Sequence, residues 1–311
     1  MIFHPVGIGF RKKGKWHKIV DVEKCVISDE KLNLLIKEVR NFFKNIDFFD
    51  IYKKTGTFKY AVIRTPQNVS SISFVLNEDS TKTGEAIEKI KLFSEISTAN
   101  NIVITYVSKD NDESISQEYF VVKGGDMLKE AYLGKTFYYS VQGFFQNNTI
   151  MAEKMHNYVN ELLKQHQTKD KHLLDLYAVV GTFGIINADL FKEVLIVESF
   201  QACIDAANKN LEINNIKNAK TFCLEAKNIK KLSIPESLFV ISDPPRSGME
   251  EKTIQILNEL KPELIIYISC NPEQLGKDLP KFRNYKIKSA ALFDLFPQTS
   301  HSEAVIELVR K

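Results

Sequence analysis

Cysteine is scarce in this sequence. Four occur in 311 residues, at Cys25, Cys203, Cys223 and Cys270, and none forms a C-x-x-C pair. That spacing excludes a disulfide scaffold and offers no zinc-ligand pattern, so no metal site is expected. Long apolar runs are missing as well: Leu264–Ile268 falls far short of the roughly 20 residues that span a bilayer, which excludes a membrane partner. The amino-terminal stretch is broken by His4, Pro5 and a basic cluster, so it is no secretory signal. The expected location is the reducing cytoplasm, where a cysteine is a buried hydrophobe unless its surroundings activate it. Charge of one sign is not in excess: 42 basic against 39 acidic residues leave a net +3, too mild to establish nucleic-acid binding by itself. There is no internal repeat, no low-complexity segment and no G-x-G-x-x-G fingerprint.

What is present divides into two unlike parts. Up to about Lys135, short strand-like runs (Lys18–Val22, Tyr60–Arg64, Ser71–Leu76, Ile102–Val107, Glu118–Val122) alternate with two stretches of helical apolar spacing, Asp29–Lys44 and Thr83–Thr98. This predicts an α+β domain. From His172 onward, strand-like runs at Leu173–Tyr177, Val194–Val197, Thr221–Leu224, Leu238–Ser242 and Leu264–Ser269 are separated by helix-like segments, the clearest being Gln201–Asn214 and Met249–Leu260. Alternation of this kind implies right-handed crossovers and a parallel sheet. Two closing runs, Lys286–Leu292 and Ala304–Val309, predict an antiparallel pair at its edge and seven strands in all. Asn147–His166 reads as a helix bridging the halves. The expected fold is therefore α/β: a Rossmann-like seven-strand domain over 138–311, preceded by a smaller α+β domain over 1–137.

Ligands of such a sheet sit beyond the carboxyl ends of its strands, and four segments fall there. In Asp175-Leu-Tyr-Ala-Val-Val-Gly-Thr-Phe-Gly184 a strand turns into a helix, whose first amides favour a polar or anionic ligand. Gly181 and Gly184 allow close backbone approach. Glu198 follows about 20 residues later, the spacing of a ribose-binding acid. Together they favour a nucleoside-type site, and the missing pyrophosphate fingerprint argues for S-adenosylmethionine over NAD. In Ser242-Asp-Pro-Pro-Arg-Ser-Gly248 the prolines force an extended exit that fixes Asp243 at the sheet edge. Arg246 stands where enzymes that methylate exocyclic amines usually carry an aromatic residue. In Ile268-Ser-Cys-Asn-Pro-Glu-Gln-Leu275 Asn271 is an expected N-cap and Pro272 suits the first helical turn. Cys270 then lies at a helix N-terminus, whose dipole favours the reactive thiolate; Cys203 and Cys223 read as buried structural thiols. Finally, Leu295-Phe-Pro-Gln-Thr-Ser-His-Ser-Glu-Ala304 is a polar loop that returns Glu303 toward Cys270.

Two further features need weighing. Arg11-Lys-Lys-Gly-Lys-Trp-His-Lys18 carries five cations beside Trp16, a combination suited to phosphate contact and base stacking; a solvated hairpin turn at Gly14 is the equal alternative. Leu133-Gly-Lys-Thr136 resembles the tail of a phosphate-binding P-loop without its upstream glycine, and it is read as a decoy.

As an ordered set, Gly143-Phe-Phe-Gln-Asn-Asn148, Asp175–Gly184, Asp243–Gly248, Ser269–Pro272 and Phe296–Glu303 resemble the RNA uracil-5-methyltransferase family, whose members make 5-methyluridine in tRNA or large-subunit rRNA. The resemblance runs from Gly7 to Val309. It implies a methyltransferase domain, with Gln146, Tyr177, Gly181, Thr182, Glu198 and Asp243 around S-adenosylmethionine, Cys270 as nucleophile and Glu303 as general base. It also implies an RNA partner, tRNA or rRNA, contacted through Arg11, Lys12, Lys13, Lys15, Trp16 and Arg246. Family members commonly begin with a small β-barrel RNA-binding module and three clustered cysteines of an iron–sulfur site. Neither is seen here, so no iron–sulfur cluster is expected, Cys25 reads as a core thiol, and a separate RNA-binding chain has room to act. A monomer is the expectation. Val179 stands where the family has a glycine, and Ala226 where it has a polar cofactor contact. These departures motivate an alternative, a non-catalytic RNA-binding or partner subunit that retains the fold.

Overall fold

The structure is a computed structural model. It describes residues 1–67 and 69–311, with Trp16 described by its backbone alone. The chain forms two compact units, one of residues 1–129 with 140–143, the other of 130–139 with 144–311.

The first unit is built on a seven-stranded sheet. Its elements are β1 (Ile2–His4), β2 (Gly7–Lys12), β3 (Lys15–Asp21), α1 (Glu30–Phe42), β4 (Phe58–Arg64), β5 (Ser71–Asn77), α2 (Thr83–Ile96), β6 (Asn101–Val107) and β7 (Tyr119–Lys123). The strand order is β3-β2-β1-β4-β5-β6-β7, with β5 and β6 parallel and the other pairs antiparallel. Asp29 caps α1 by accepting from the Leu32 amide at 2.6 Å, and the helix buries Leu35, Ile36 and Val39. Helix α2 buries Ala86, Ile90 and Phe93 at the same spacing. Both helical stripes meet an aromatic core in which the fully buried Phe43 ring packs against Phe3, Phe58, Phe74 and Phe93. Strand β1 escapes the alternation pattern because it has only three residues, and β2 because Gly7 and Gly9 interrupt it before the basic hairpin. Gly14 turns that hairpin with φ of 71°.

A two-stranded hairpin, β8 (Met127–Tyr132) and β9 (Lys135–Ser140), follows. Its turn is Leu133-Gly134, both with positive φ. A two-residue turn of that hand suits antiparallel strands, which explains the Leu-Gly-Lys-Thr string without any phosphate.

The second unit begins with that hairpin and continues through α3 (Thr149–Lys164), β10 (His172–Leu176), α4 (Thr182–Asn187), β11 (Glu193–Glu198), α5 (Gln201–Ile213), β12 (Ala219–Cys223), β13 (Leu238–Ser242), α6 (Glu251–Leu260), β14 (Leu264–Ser269), α7 (Pro272–Asp278), β15 (Tyr285–Phe293) and β16 (Glu303–Arg310). Strand order is β12-β11-β10-β13-β14-β16-β15. The first five strands are parallel, and β16 lies antiparallel between β14 and β15, as the alternation predicts. Every residue of β13 and of β14 is buried, as expected of parallel strands covered on both faces. Helix α3, expected to bridge the halves, lies wholly within this unit. The strand order reverses between β10 and β13, and in such sheets that switch point opens a crevice at the carboxyl edge.

Candidate active site

Four strand ends deliver the predicted residues to that edge. The register pairs Leu176 with Val197 on one side and with Ser242 on the other. Tyr177, Glu198 and Asp243 come one residue after these partners, with the Asp243 amide donating to the Leu176 carbonyl at 3.3 Å. The loop between β10 and α4 is tightly wound: Tyr177, Val179 and Gly181 all have positive φ, at 59°, 50° and 81°. For a β-branched residue such as Val179 that conformation is strained, at a cost on the order of 1–2 kcal/mol. The Glu198 carboxylate holds the loop in place. One oxygen accepts from the Val179 amide at 3.0 Å, and the other accepts from the amides of Ser199 and Phe200. Gly184 leaves no room for a side chain, since a Cβ there would sit 2.9 Å from Ile196 Cγ1 and 3.0 Å from Asp175 Oδ2. Its amide donates to that same Asp175 oxygen at 2.7 Å. Burial pushes the Asp175 carboxyl up to about 7.

A cleft opens beside this loop, lined by Gln146, Val179, Thr182 and Asp243 among others. Its empty space is about 410 Å³ with the open mouth included. Gln146, Tyr177, Thr182 and Asp243 therefore share one cleft, with Gly181 and Glu198 shaping its loop. Sequence reasoning missed the back wall. There Tyr132 stacks on Phe145 and lies against His156, which in turn meets Phe183 with ring centroids 4.2 Å apart. Burial lowers His156 to about 3, so it is a neutral ring at every physiological pH. His156 Nδ1 and the Tyr132 hydroxyl are buried without a hydrogen-bond partner among the described residues. Such orphaned polar atoms, with the strand-end acid, fit a polar nucleoside ligand. No sequence motif announces this wall, because its members come from β8, α3 and α4.

The thiol and carboxylate lie at the next switch in the sheet. Strand β14 pairs with β16 up to Ser269 and Ala304, so Cys270 directly follows the last paired residue of one strand, Glu303 directly precedes that of the other, and the Glu303 carboxylate acts electrostatically on the Cys270 thiol. Glu303 is 5% exposed, and its Oε2 has no hydrogen-bond partner among the described residues. Burial pushes its carboxyl up to about 7 against the pull of Arg246. Asp243 rises to about 8, through desolvation first and then the charges of Glu303 and Asp175. Asn271 caps α7 through the Gln274 amide, with Pro272 in the first turn, as expected. The anticipated thiolate is not favoured in this state, however. Desolvation and the carboxylates of Glu303 and Asp243 raise the Cys270 pKa, and Arg246 is the one side chain that opposes them. A helix of only seven residues adds too small a dipole to reverse that balance.

The other cysteines also differ from their expected settings. Cys223 is exposed because β12 is an edge strand. Cys203 is partly buried, and desolvation raises it to about 11. Cys25 sits in the loop before α1, not in the core, with its amide held by Asn33 Oδ1 at 2.7 Å. In the first unit Lys12, Lys13 and Lys15 are exposed. Arg11 is engaged by Asp112 at 2.7 Å, and the Trp16 side chain lies outside the described residues. Arg246 is exposed, with a guanidinium nitrogen 3.2 Å from His301 Nδ1.

With this geometry in view, the sequence model of the family described as tRNA (Uracil-5-)-methyltransferase matches residues 8–311. The chain belongs to that family. A tRNA (uracil(54)-C(5))-methyltransferase of Pyrococcus horikoshii is 31% identical over 309 residues, covering 97% of this chain and 71% of the relative. An uncharacterized RNA methyltransferase of Caldanaerobacter subterraneus is 30% identical over 308 residues, covering 96% and 67%. The chain thus spans about two thirds of the length of curated methyltransferase relatives. Among solved structures, the tRNA (uracil-54, C5)-methyltransferase of Pyrococcus abyssi in complex with S-adenosyl-L-homocysteine aligns with a TM-score of 0.80 at 28% identity, over 99% of this chain and 74% of that one. The fold of this uracil-5-methyltransferase family member is therefore that of S-adenosylmethionine-dependent tRNA methyltransferases.

Proposed function

We propose that the protein transfers a methyl group to C5 of a uridine in tRNA, through a covalent adduct between Cys270 and C6 of the base. The observation that carries this reading is a half-buried thiol and a buried carboxylate with an unpartnered oxygen, each next to the last β14–β16 pair and electrostatically coupled to one another. S-adenosylmethionine supplies the methyl group as a sulfonium electrophile. Gln146, Tyr177, Thr182, Glu198 and Asp243 would hold it, beside a loop whose Gly181 and Gly184 lie close against Ile196.

C5 of uracil is too poor a nucleophile to react unaided. Addition of the Cys270 thiolate at C6 moves the ring's electron pair onto C5 and O4, which makes C5 nucleophilic. Once C5 carries the methyl group it also carries a proton that must leave. Glu303 removes it, the electron pair re-forms the C5–C6 double bond, and the C6–S bond breaks to return the thiolate. Arg246 favours the thiolate electrostatically and, being exposed, would meet the RNA chain. The target base must leave its stack to reach Cys270, and unstacking costs a few kcal/mol. Exposed Lys12, Lys13 and Lys15 on the β2–β3 hairpin supply phosphate contacts.

The test is incubation with a tRNA transcript and S-adenosylmethionine, followed by nucleoside mass spectrometry. Formation of 5-methyluridine by the protein, lost in Cys270→Ala, is expected. Undiminished 5-methyluridine from Cys270→Ala would remove the covalent mechanism. A protein that binds RNA but makes no 5-methyluridine would instead be a binding subunit.

A further inference from the structure

Resting on the reading of Cys270 as the nucleophile, we propose that Asp278 is a positioning residue that fastens the Asp243–Met249 loop to the helix following Cys270, and so sets Arg246 against the sulfur. Asp278 is fully buried, yet each of its oxygens takes two donors. Oδ2 accepts from the Tyr267 hydroxyl at 2.8 Å and from the Met249 amide at 3.1 Å. Oδ1 accepts from Lys281 Nζ at 2.9 Å and Gln274 Nε2 at 3.1 Å. A buried carboxylate with four donors is a rigid joint, because moving any partner leaves a charge unsolvated.

The loop is shaped to reach that joint. Gly248 has φ of 82°, and a Cβ there would lie 2.3 Å from Asp278 Oδ2 and 2.6 Å from Gln274 Cγ. Only glycine fits on both counts. A second fastening runs from the other end of α7, where Asn271 Nδ2 donates to the Arg246 carbonyl at 3.1 Å. This second fastening begins one residue after Cys270 and ends on Arg246 itself. The groups that act electrostatically on Cys270 are Glu303 from β16, with Asp243 and Arg246 from the fastened loop; His301 touches Arg246 in turn. Loosening the joint lets Arg246 drift, so the sulfur keeps the Glu303 carboxylate of β16 and loses its cation.

The test uses Asp278→Ala, Asp278→Asn and Gly248→Ala in the full chain, read in two ways. Methyl transfer to tRNA in Asp278→Ala and in Gly248→Ala should fall at least about tenfold in kcat with KM for S-adenosylmethionine unchanged, since misplacement by about 1 Å costs up to ~10²-fold. In a background with Cys25, Cys203 and Cys223 replaced by serine, the pH midpoint for iodoacetamide alkylation of Cys270 should rise by about half a unit or more in both variants, as expected on losing a nearby cation. Asp278→Asn keeps an acceptor for the Met249 amide and should recover most of both readouts. The double variant Gly248→Ala/Asp278→Ala should lose less than the product of the single losses, because the two act on one joint. A folded Gly248→Ala or Asp278→Ala with wild-type kcat and an unmoved alkylation midpoint overturns the proposal, leaving Asp278 a stabilising residue only. If Cys270→Ala still makes 5-methyluridine, the nucleophile reading fails by itself, and the alkylation midpoint alone decides the joint. Should Asp278→Ala fail to fold, Gly248→Ala and Asp278→Asn still decide it.

Discussion

Glu303 opens β16 with one carboxylate oxygen buried and unpartnered, and desolvation places its titration near pH 7. A base must be deprotonated to take the C5 proton, so release of 5-methyluridine from the adduct, the step after methyl transfer, should rise with pH through about 7. A second rise should follow on the alkaline side as Cys270 ionises, because its thiol is held above the ordinary value. A rate profile flat from pH 6 to 9 would contradict both assignments. The same shift carries a stability consequence of definite sign. A carboxyl that binds its proton more tightly when folded adds stability that is fully present below its unfolded pKa and lost as pH rises through the folded one. Glu303→Gln removes that loss while abolishing turnover. It should therefore raise the melting temperature at pH 8 more than at pH 5. The gain at pH 8 is on the order of 1–2 kcal/mol, the pKa shift discounted for partial contact with water.

Among the elements, the β10–α4 loop shows most plainly what a sequence conceals. Its glycines, its following helix and the distant Glu198 are legible from spacing alone. The left-handed conformation of Val179 is not, because the residue type argues against it and only the Glu198 carboxylate, bonded to its amide, explains why it persists. Val179→Gly should relieve that strain and, after the entropy cost of the added glycine, stabilise the protein by roughly 1 kcal/mol. Chemical denaturation will show the gain, and an unchanged or lower stability would mean the loop is not strained. The five parallel strands and the closing antiparallel pair are readable because fully buried strands are continuous apolar runs. Strands β1, β2, β8 and β9 are not: β1 has three residues, β2 carries two glycines, and the β8–β9 turn places a leucine where Asn or Gly would mark a hairpin. The site divides the same way. Cys270, Glu303 and the strand-end acids sit in contiguous motifs. Asp278, Tyr132 and His156 act through contacts that only the fold creates.

For the whole molecule, two hydrophobic cores support two units, and no helix among the described residues is long and apolar enough to cross a membrane. The first core is organised around Phe43, fully buried within a ring of phenylalanines. Phe43→Ala should cost about 3–5 kcal/mol. Faster amide exchange should appear in β1, β4 and β5, while S-adenosylmethionine affinity, a property of the second unit, stays at the wild-type value. Loss of that affinity would mean the units do not divide labour as proposed. A net charge of +3 is too small to hold RNA by long-range attraction, so recognition must come from local clusters such as the β2–β3 hairpin. The central claim is the covalent one, and a trapped adduct tests it most directly. With 5-fluorouridine in the RNA, fluorine occupies the place of the C5 proton, so Glu303 cannot complete the elimination. Intact-mass analysis should find protein plus RNA plus one methyl group, and peptide mapping should place the link on Cys270. A tRNA methylated at C5 by this protein without any such adduct, or an adduct on another cysteine, would contradict the account.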